Sequence, residues 1–318
     1  MNKILLAWLA VFSFQALGHA ADRVKIGYPD TSGSFLSLPL GQKTGSFQNE
    51  GIQADLIRIR STVALTALVS GELDYHSVLG PAVAAAIRGM PVKIVACYTP
   101  WAATAIIALP QFKSVQDLRG KTIAINSLGG GLEGQVRLIF KHFGLDTEKD
   151  VKLLASGGME SRLTSMTQGL TVATVGSPPI EFMARKLGFI VLAKADDLFS
   201  YPSSGLIVNP KRIKERPDEI KRMIRAGIEA NRYIAHNREG TVQTMMVWMR
   251  VDRDTAAATY DGVVKTYSDD LSLPEDGIRL LIDEAKKNAK LNREISVEQV
   301  ADLSLLKEVQ KELHVTGR

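Results

Sequence analysis

The segment Lys121–Gly169, KTIAINSLGGGLEGQVRLIFKHFGLDTEKDVKLLASGGMESRLTSMTQG, decides the fold, because an earlier segment repeats its plan. Lys121–Asn126 reads as a strand and Ser127 to Gly131 as a small loop. Leu132–Phe143 is a helix stopped by Gly144, Val151–Ala155 a second strand, and Met159–Gln168 a helix stopped by Gly169. Apolar alternation marks the strands; three-to-four spacing followed by glycine marks the helices. Lys25–Gly71 runs through the same series, with the small loop Thr31-Ser32-Gly33-Ser34 at the matching place. One template used twice implies two similar α/β lobes and not a single sheet.

The flanking sequence extends the pattern. Before Lys121 come a strand at Val24–Tyr28, a helix at Phe35–Thr44, a strand at Gln53–Ile59 and a helix at Thr62–Ser70 capped by Ser61. A strand at Leu73–Leu79, a helix from Pro81 to Gly89 and a buried strand at Val92–Cys97 follow, the order of a parallel sheet. After Gly169 come a strand at Thr171–Gly176, a helix opened by Pro178-Pro179 and a strand at Phe189–Ala193. Beyond a short strand at Gly205–Val208 the chain turns helical, with starts at Pro217 and near Glu239, Arg253, Pro274 and Val297. The charge run 211–216 reads as a solvated face, and Met245, Met246 and Met249 read as core.

The chain has 318 residues, 45% hydrophobic and 23% charged, which excludes a disordered chain and a polytopic membrane protein. The single cysteine, Cys97, excludes an internal disulfide and a paired-cysteine zinc site; it sits in an apolar run and reads as a small buried residue. The net charge of +5 is spread along the chain and aromatic residues are 6%, so no nucleic-acid partner is expected. Residues 1–20 have the build of a signal peptide: Lys3, the apolar run Ile4 to Leu17, then Gly18-His19-Ala20 before a cut at Ala20/Ala21. No cysteine lies near that cut, so the expectation is a periplasmic protein without a lipid anchor.

In open α/β sheets ligands sit beyond the carboxyl ends of the strands. There the sequence places Asp30 to Phe35, Arg60 to Thr62, Ser77 to Gly80, Tyr98 to Trp101, Ser127 to Gly131, Ser156 to Gly158 and Ser177 to Pro179. These segments are rich in hydroxyls and backbone amides, groups suited to holding a ligand and seldom to moving protons. Each small loop precedes a helix and so offers a positive dipole end to an anion. Gly129–Gly134 fits G-x-G-x-x-G, yet the following strand ends at Ser156 without an acid for a ribose, so no nucleotide cofactor is expected. His76 reads as a structural residue of a strand unless it points into the cleft. Trp101 reads as a core or hinge aromatic, or as a flat cleft wall. Arg60 reads either as an anion partner or as a surface arginine. No Ser/His/Asp set and no metal-ligand spacing is present, so neither catalytic residues nor a metal are expected.

Several pieces in series carry a resemblance: Val24–Tyr28, Val69–Tyr75, Gly89–Ala96, Ser114–Ala124, Phe143–Asp146, Gly176–Pro179 and Lys186–Phe189. The chain resembles the substrate-binding proteins of bacterial ABC importers, in the branch handling nitrate, sulfonates, taurine and thiamine-pyrimidine precursors. The resemblance implies the type II periplasmic binding protein fold: two α/β lobes joined by crossovers near Thr104–Leu109 and Ser203–Val208, with C-terminal helices packed on lobe one. Residues 21–106 and 204–318 would then form lobe one, and 107–203 lobe two. It implies a small organic solute (an anion, sulfonate or heteroaromatic) held between the lobes, delivery to permease subunits, and a monomer. The expected ligand contacts are Ser34, Phe35, Ser61, Thr62, Ser77, Trp101, Ser127, Gly130, Gly131 and Ser177. Where the family often has Val-Asp-Ala in its second lobe, this chain has Thr171-Val172-Ala173. Two alternatives stand beside this reading: an enzyme resembling the thiamine-pyrimidine synthase of the same fold, and a solute sensor docking to a membrane signalling protein.

Overall fold

Five strands of the computed structural model form the first sheet: β1 (Asp22–Tyr28), β2 (Ile52–Arg58), β3 (Tyr75–Val78), β4 (Lys93–Thr99) and β10 (Ser204–Val208), in the order β2-β1-β3-β10-β4. The second holds β5 (Ala105–Ala108), β6 (Thr122–Ile125), β7 (Lys152–Ala155), β8 (Ala173–Gly176) and β9 (Ile190–Lys194), in the order β7-β6-β8-β5-β9. The structure describes residues 21–129 and 131–315; the expected signal peptide and Gly130 lie outside them.

The two orders are the same plan. In each sheet three parallel strands (β2-β1-β3, or β7-β6-β8) meet an antiparallel strand that comes from a crossover, and a last strand pairs only with that one. The expectation of a parallel run through Val92–Cys97 is thereby corrected: β4 pairs antiparallel with β10. Each sheet thus has, one place in from its edge, a strand reached through the hinge. Both inserted strands are enclosed on both faces, which explains their unbroken apolar sequences Ala105–Ala108 and Gly205–Val208. Gly205 is needed there, because a Cβ would stand 2.1 Å from the Ala96 carbonyl oxygen.

Apolar clusters cover both faces of each sheet. One face of the first carries the helices Ser61–Ser70, Leu79–Ala86 and Glu275–Asn288; the other carries Pro217–His236 and Ser304–Glu312. Met245 and Met249 are buried in a further cluster with Leu36, Leu40 and Tyr260, as the sequence predicts. The charge run is not wholly solvated. Arg212 lies in the helix Pro210–Glu215 and turns inward, donating to Asp74 at 2.6 Å and to Glu219 at 2.8 and 2.9 Å. Tyr75 donates to the same Glu219 at 2.7 Å, and Asp74 also accepts from the Lys25 amide at 2.7 Å. This network binds the start of β3 to the C-terminal helices. Among the described residues no helix is long and apolar enough to cross a membrane.

Candidate ligand site between the lobes

The carboxyl ends of β1 and β3 face those of β6 and β8, and the loops beyond them touch. The Gly33 amide donates to the Pro178 carbonyl at 3.0 Å across the gap. A Cβ on Gly33 would stand 3.2 Å from that carbonyl oxygen and 2.8 Å from Val263 of its own lobe, so glycine permits this approach. On the other side, the Thr62 methyl lies 3.8 Å from where a Cβ of Gly129 would stand. Leu138, from the helix Gly131–His142, joins the lobe-one cluster beside Tyr201 and Ile278. Lys186 of lobe two sits 3.6 Å from Asp252. The lobes are therefore shut on one another.

The expected contact residues divide. Ser34 is half-buried in the turn after β1; its carbonyl accepts from Ser204 at 2.7 Å, and its hydroxyl has no partner among the described residues. Phe35 is buried. Ser61 does not cap its helix: Arg60 occupies the cap position and Ser61 is the first helical residue, buried. Thr62 is exposed at the seam. Ser77 is enclosed completely, and its hydroxyl donates to the Gly27 carbonyl at 2.9 Å, so in the shut form it is spent on the sheet. Ser127 is half-buried, Gly131 begins its helix, and Ser177 shares a 3.1 Å hydrogen bond with Thr104. Trp101 is 42% exposed on the first crossover.

His76 is structural. It is fully enclosed, Nδ1 lies 3.3 Å from the Gly27 carbonyl, and burial pushes its pKa down to about 4. Arg60 is exposed. Burial of Cys97 pushes its thiol pKa well up, as its apolar setting predicts.

The glycine loop of lobe two behaves differently from its sequence reading. Glu133 folds back so that the Gly129 amide donates to its carboxylate at 2.5 Å, and Arg137 clamps that carboxylate at 2.6 Å. The chain's own side chain fills the place an anion would take at this helix start. The lobe-one loop is built alike, with Asp30 accepting from the Ser32 amide at 3.1 Å.

One cation here escaped the sequence reading. Arg162, in the helix Met159–Thr167, is only 7% exposed. It donates to the carbonyls of Val175 and Gly158 and forms no ion pair among the described residues; Nη2 has no partner there. Burial lowers its pKa, opposed by the charges of Asp30 and Glu160. A Cβ on Gly176 would stand 3.2 Å from Nη1 and 3.5 Å from Nη2, so the glycine at the end of β8 keeps the guanidinium edge uncovered. Buried arginine is ordinarily paired, and a free fork of parallel N–H donors fits a carboxylate or sulfonate. A signal existed: Arg162 lies one turn beyond Ser156–Gly158, which had been placed at the cleft.

Residues 33–240 match the NMT1/THI5-like family. The chain belongs to that family. A Brucella abortus protein named only as a candidate binding protein is 26% identical over 236 residues, 72% of this chain and 72% of its own. Two solved structures superpose over most of this NMT1/THI5-like chain. The aliphatic sulphonate-binding protein SsuA of Escherichia coli gives a TM-score of 0.71 at 16% identity, covering 88% of this chain and 92% of its own. The nitrate-binding protein NrtA of Synechocystis gives 0.71 at 13%, covering 93% and 90%. Together with the twin sheets, these establish the periplasmic binding protein fold.

Proposed function

We propose that this protein is the periplasmic solute-binding component of an ABC-type importer. It closes on a small organic solute bearing an acidic group and releases it unchanged to permease subunits in the membrane. The observation that carries the reading is Arg162, a buried guanidinium with an unfilled edge where the loops of two facing sheets meet. Ser34, Ser127 and Thr62, from the loops and helix starts at the two sheets' carboxyl ends, are further candidate polar contacts. Closure follows from differential affinity: a ligand touching both lobes favours the shut form. The sulphonate- and nitrate-binding proteins of the same fold support this reading, as does the secretory build of residues 1–20.

The test is a thermal-shift screen of the purified protein against small carboxylates and sulfonates. A true ligand at a hundredfold its Kd stabilises by about 2.7 kcal/mol, a Tm rise of roughly 4 °C for a chain this size. Arg162→Gln should abolish the rise. A screen in which no organic acid raises Tm removes the proposal.

A further inference from the structure

The cleft end of the second sheet carries a second polar group. The helix Gly131–His142 packs on one face of that sheet, and Met159–Thr167, which bears Arg162, packs on the other. β5 and β8 pair antiparallel with Ala105 beside Gly176, so Thr104, just before β5, meets Ser177, just after β8. Their hydroxyls lie 3.1 Å apart. The Thr104 hydroxyl also donates to Oε1 of Gln135, one turn into the helix Gly131–His142. Thr104 is fully enclosed, Gln135 is 6% exposed and Ser177 is half-buried, so the chain of three opens outward at Ser177. Ser177 adjoins Pro178, whose carbonyl holds the Gly33 amide of lobe one.

Counting protons fixes what this group offers. Thr104 has one hydroxyl proton, and Gln135 takes it. Ser177 is then the donor to Thr104, so its oxygen is left to accept. Nε2 of Gln135 has no partner among the described residues and is left to donate. Turning the amide over reverses every bond of the chain, and the group again shows a donor and an acceptor. A bare oxyanion only accepts, and would set its lone pairs against those of the group's acceptor. A hydroxyl or carboxamide both donates and accepts, and meets the two. A buried polar group left unmet is costly.

We propose that Gln135 and Ser177, set in direction by Thr104, read a neutral hydroxyl or carboxamide of the solute, while Arg162 on the other side of β8 takes its acid group. Ser177 is among the expected contacts; Gln135 and the positioning residue Thr104 are additions. This rests on the solute-binding reading above and narrows its substrate class.

Calorimetric titration tests it, with butanoate against its 2-, 3- and 4-hydroxy derivatives and propanesulfonate against 3-hydroxypropanesulfonate. At least one hydroxy derivative should bind about tenfold more tightly than its parent acid, because the parent leaves the donor and acceptor unmet. Gln135→Leu should bring that pair to within about twofold, with little change in the parent acid's Kd. Thr104→Ser, which keeps the hydroxyl, should retain the preference; Thr104→Val, of the same shape without it, should lose it. If no hydroxy derivative binds the unaltered protein more tightly than its parent, the recognition group is overturned and the solute-binding reading stands. A Gln135→Leu variant that keeps the preference has the same consequence. If no acid of either kind binds, the solute-binding reading falls and this inference with it.

Discussion

In the first lobe Asp74 stands just before β3, and its amide donates to the Lys25 carbonyl at 3.1 Å; in the second, Val172 stands just before β8, and its amide donates to Thr122 at 3.1 Å. The backbone is the same and the side chains differ. Asp74 pulls in Arg212, and through it Glu219 and Tyr75, locking the sheet to the C-terminal helices. Val172 packs on the lobe-two core and recruits nothing polar. The edge strands follow suit: β4 is buried along nearly all its length and β2 at Ile52 and Ala54, while their counterparts β9 and β7 are half-buried or exposed throughout. A repeated plan sets strand order, and side chains at matching points make one lobe the frame and the other a lighter shell. The aspartate missing from Thr171-Val172-Ala173 is thus a lost structural tie, at the end of the sheet away from the cleft.

The strongest way to break this pairing is Gly205→Ala. The added Cβ meets the Ala96 carbonyl and forces β10 out of the first sheet, so a loss of about 4 kcal/mol or more is expected in chemical denaturation. Next is Arg212→Ala, which strands Asp74 and Glu219 and should cost about 3–5 kcal/mol. Matching instability from Arg185→Ala, which removes the exposed arginine of the lobe-two pair Arg185–Glu181, would contradict the frame-and-shell distinction.

A smaller effect sharpens the seam. Glu284, on the helix Glu275–Asn288, faces lobe two near Gly134. Burial pushes its pKa up from 4.5 to about 8, against the pull of Arg137, Lys141 and Lys287, with Glu133 adding to the rise. The folded protein then holds a proton that the unfolded chain has released between these values. This contribution to stability is complete below 4.5 and is lost as the pH climbs through 8. Glu284→Gln, neutral throughout, should match the parent near pH 5 and exceed it near pH 9 in urea midpoint. Parallel curves would mean that Glu284 is solvated.

Much of this was legible in the sequence. The repeat from Lys25 and from Lys121 set out the twin lobes, and both crossovers fall within the expected ranges as β5 and β10. The site was less so, for physical reasons. Alternation distinguishes faces only when one face is wet; in a sheet covered on both sides, His76 and Ser77 are both buried. A charge run reports composition and not direction, so Arg212 was hidden among solvated neighbours. Ser127 to Gly131 looked open to an anion because spacing does not show where Glu133 bends. Arg162 was overlooked because what sets it apart, burial without an ion-pair partner among the described residues, is not written in its local sequence.

The strand exchange at the hinge also orders events in time. A nascent chain cannot complete its first sheet until residues beyond Ser204 exist, nearly two thirds of the way along the sequence. Long-range pairing of this kind is slow. The second sheet has all its strands once β9 ends at Lys194, and the first, although begun earlier, becomes whole only when the last strand passes back through the waist.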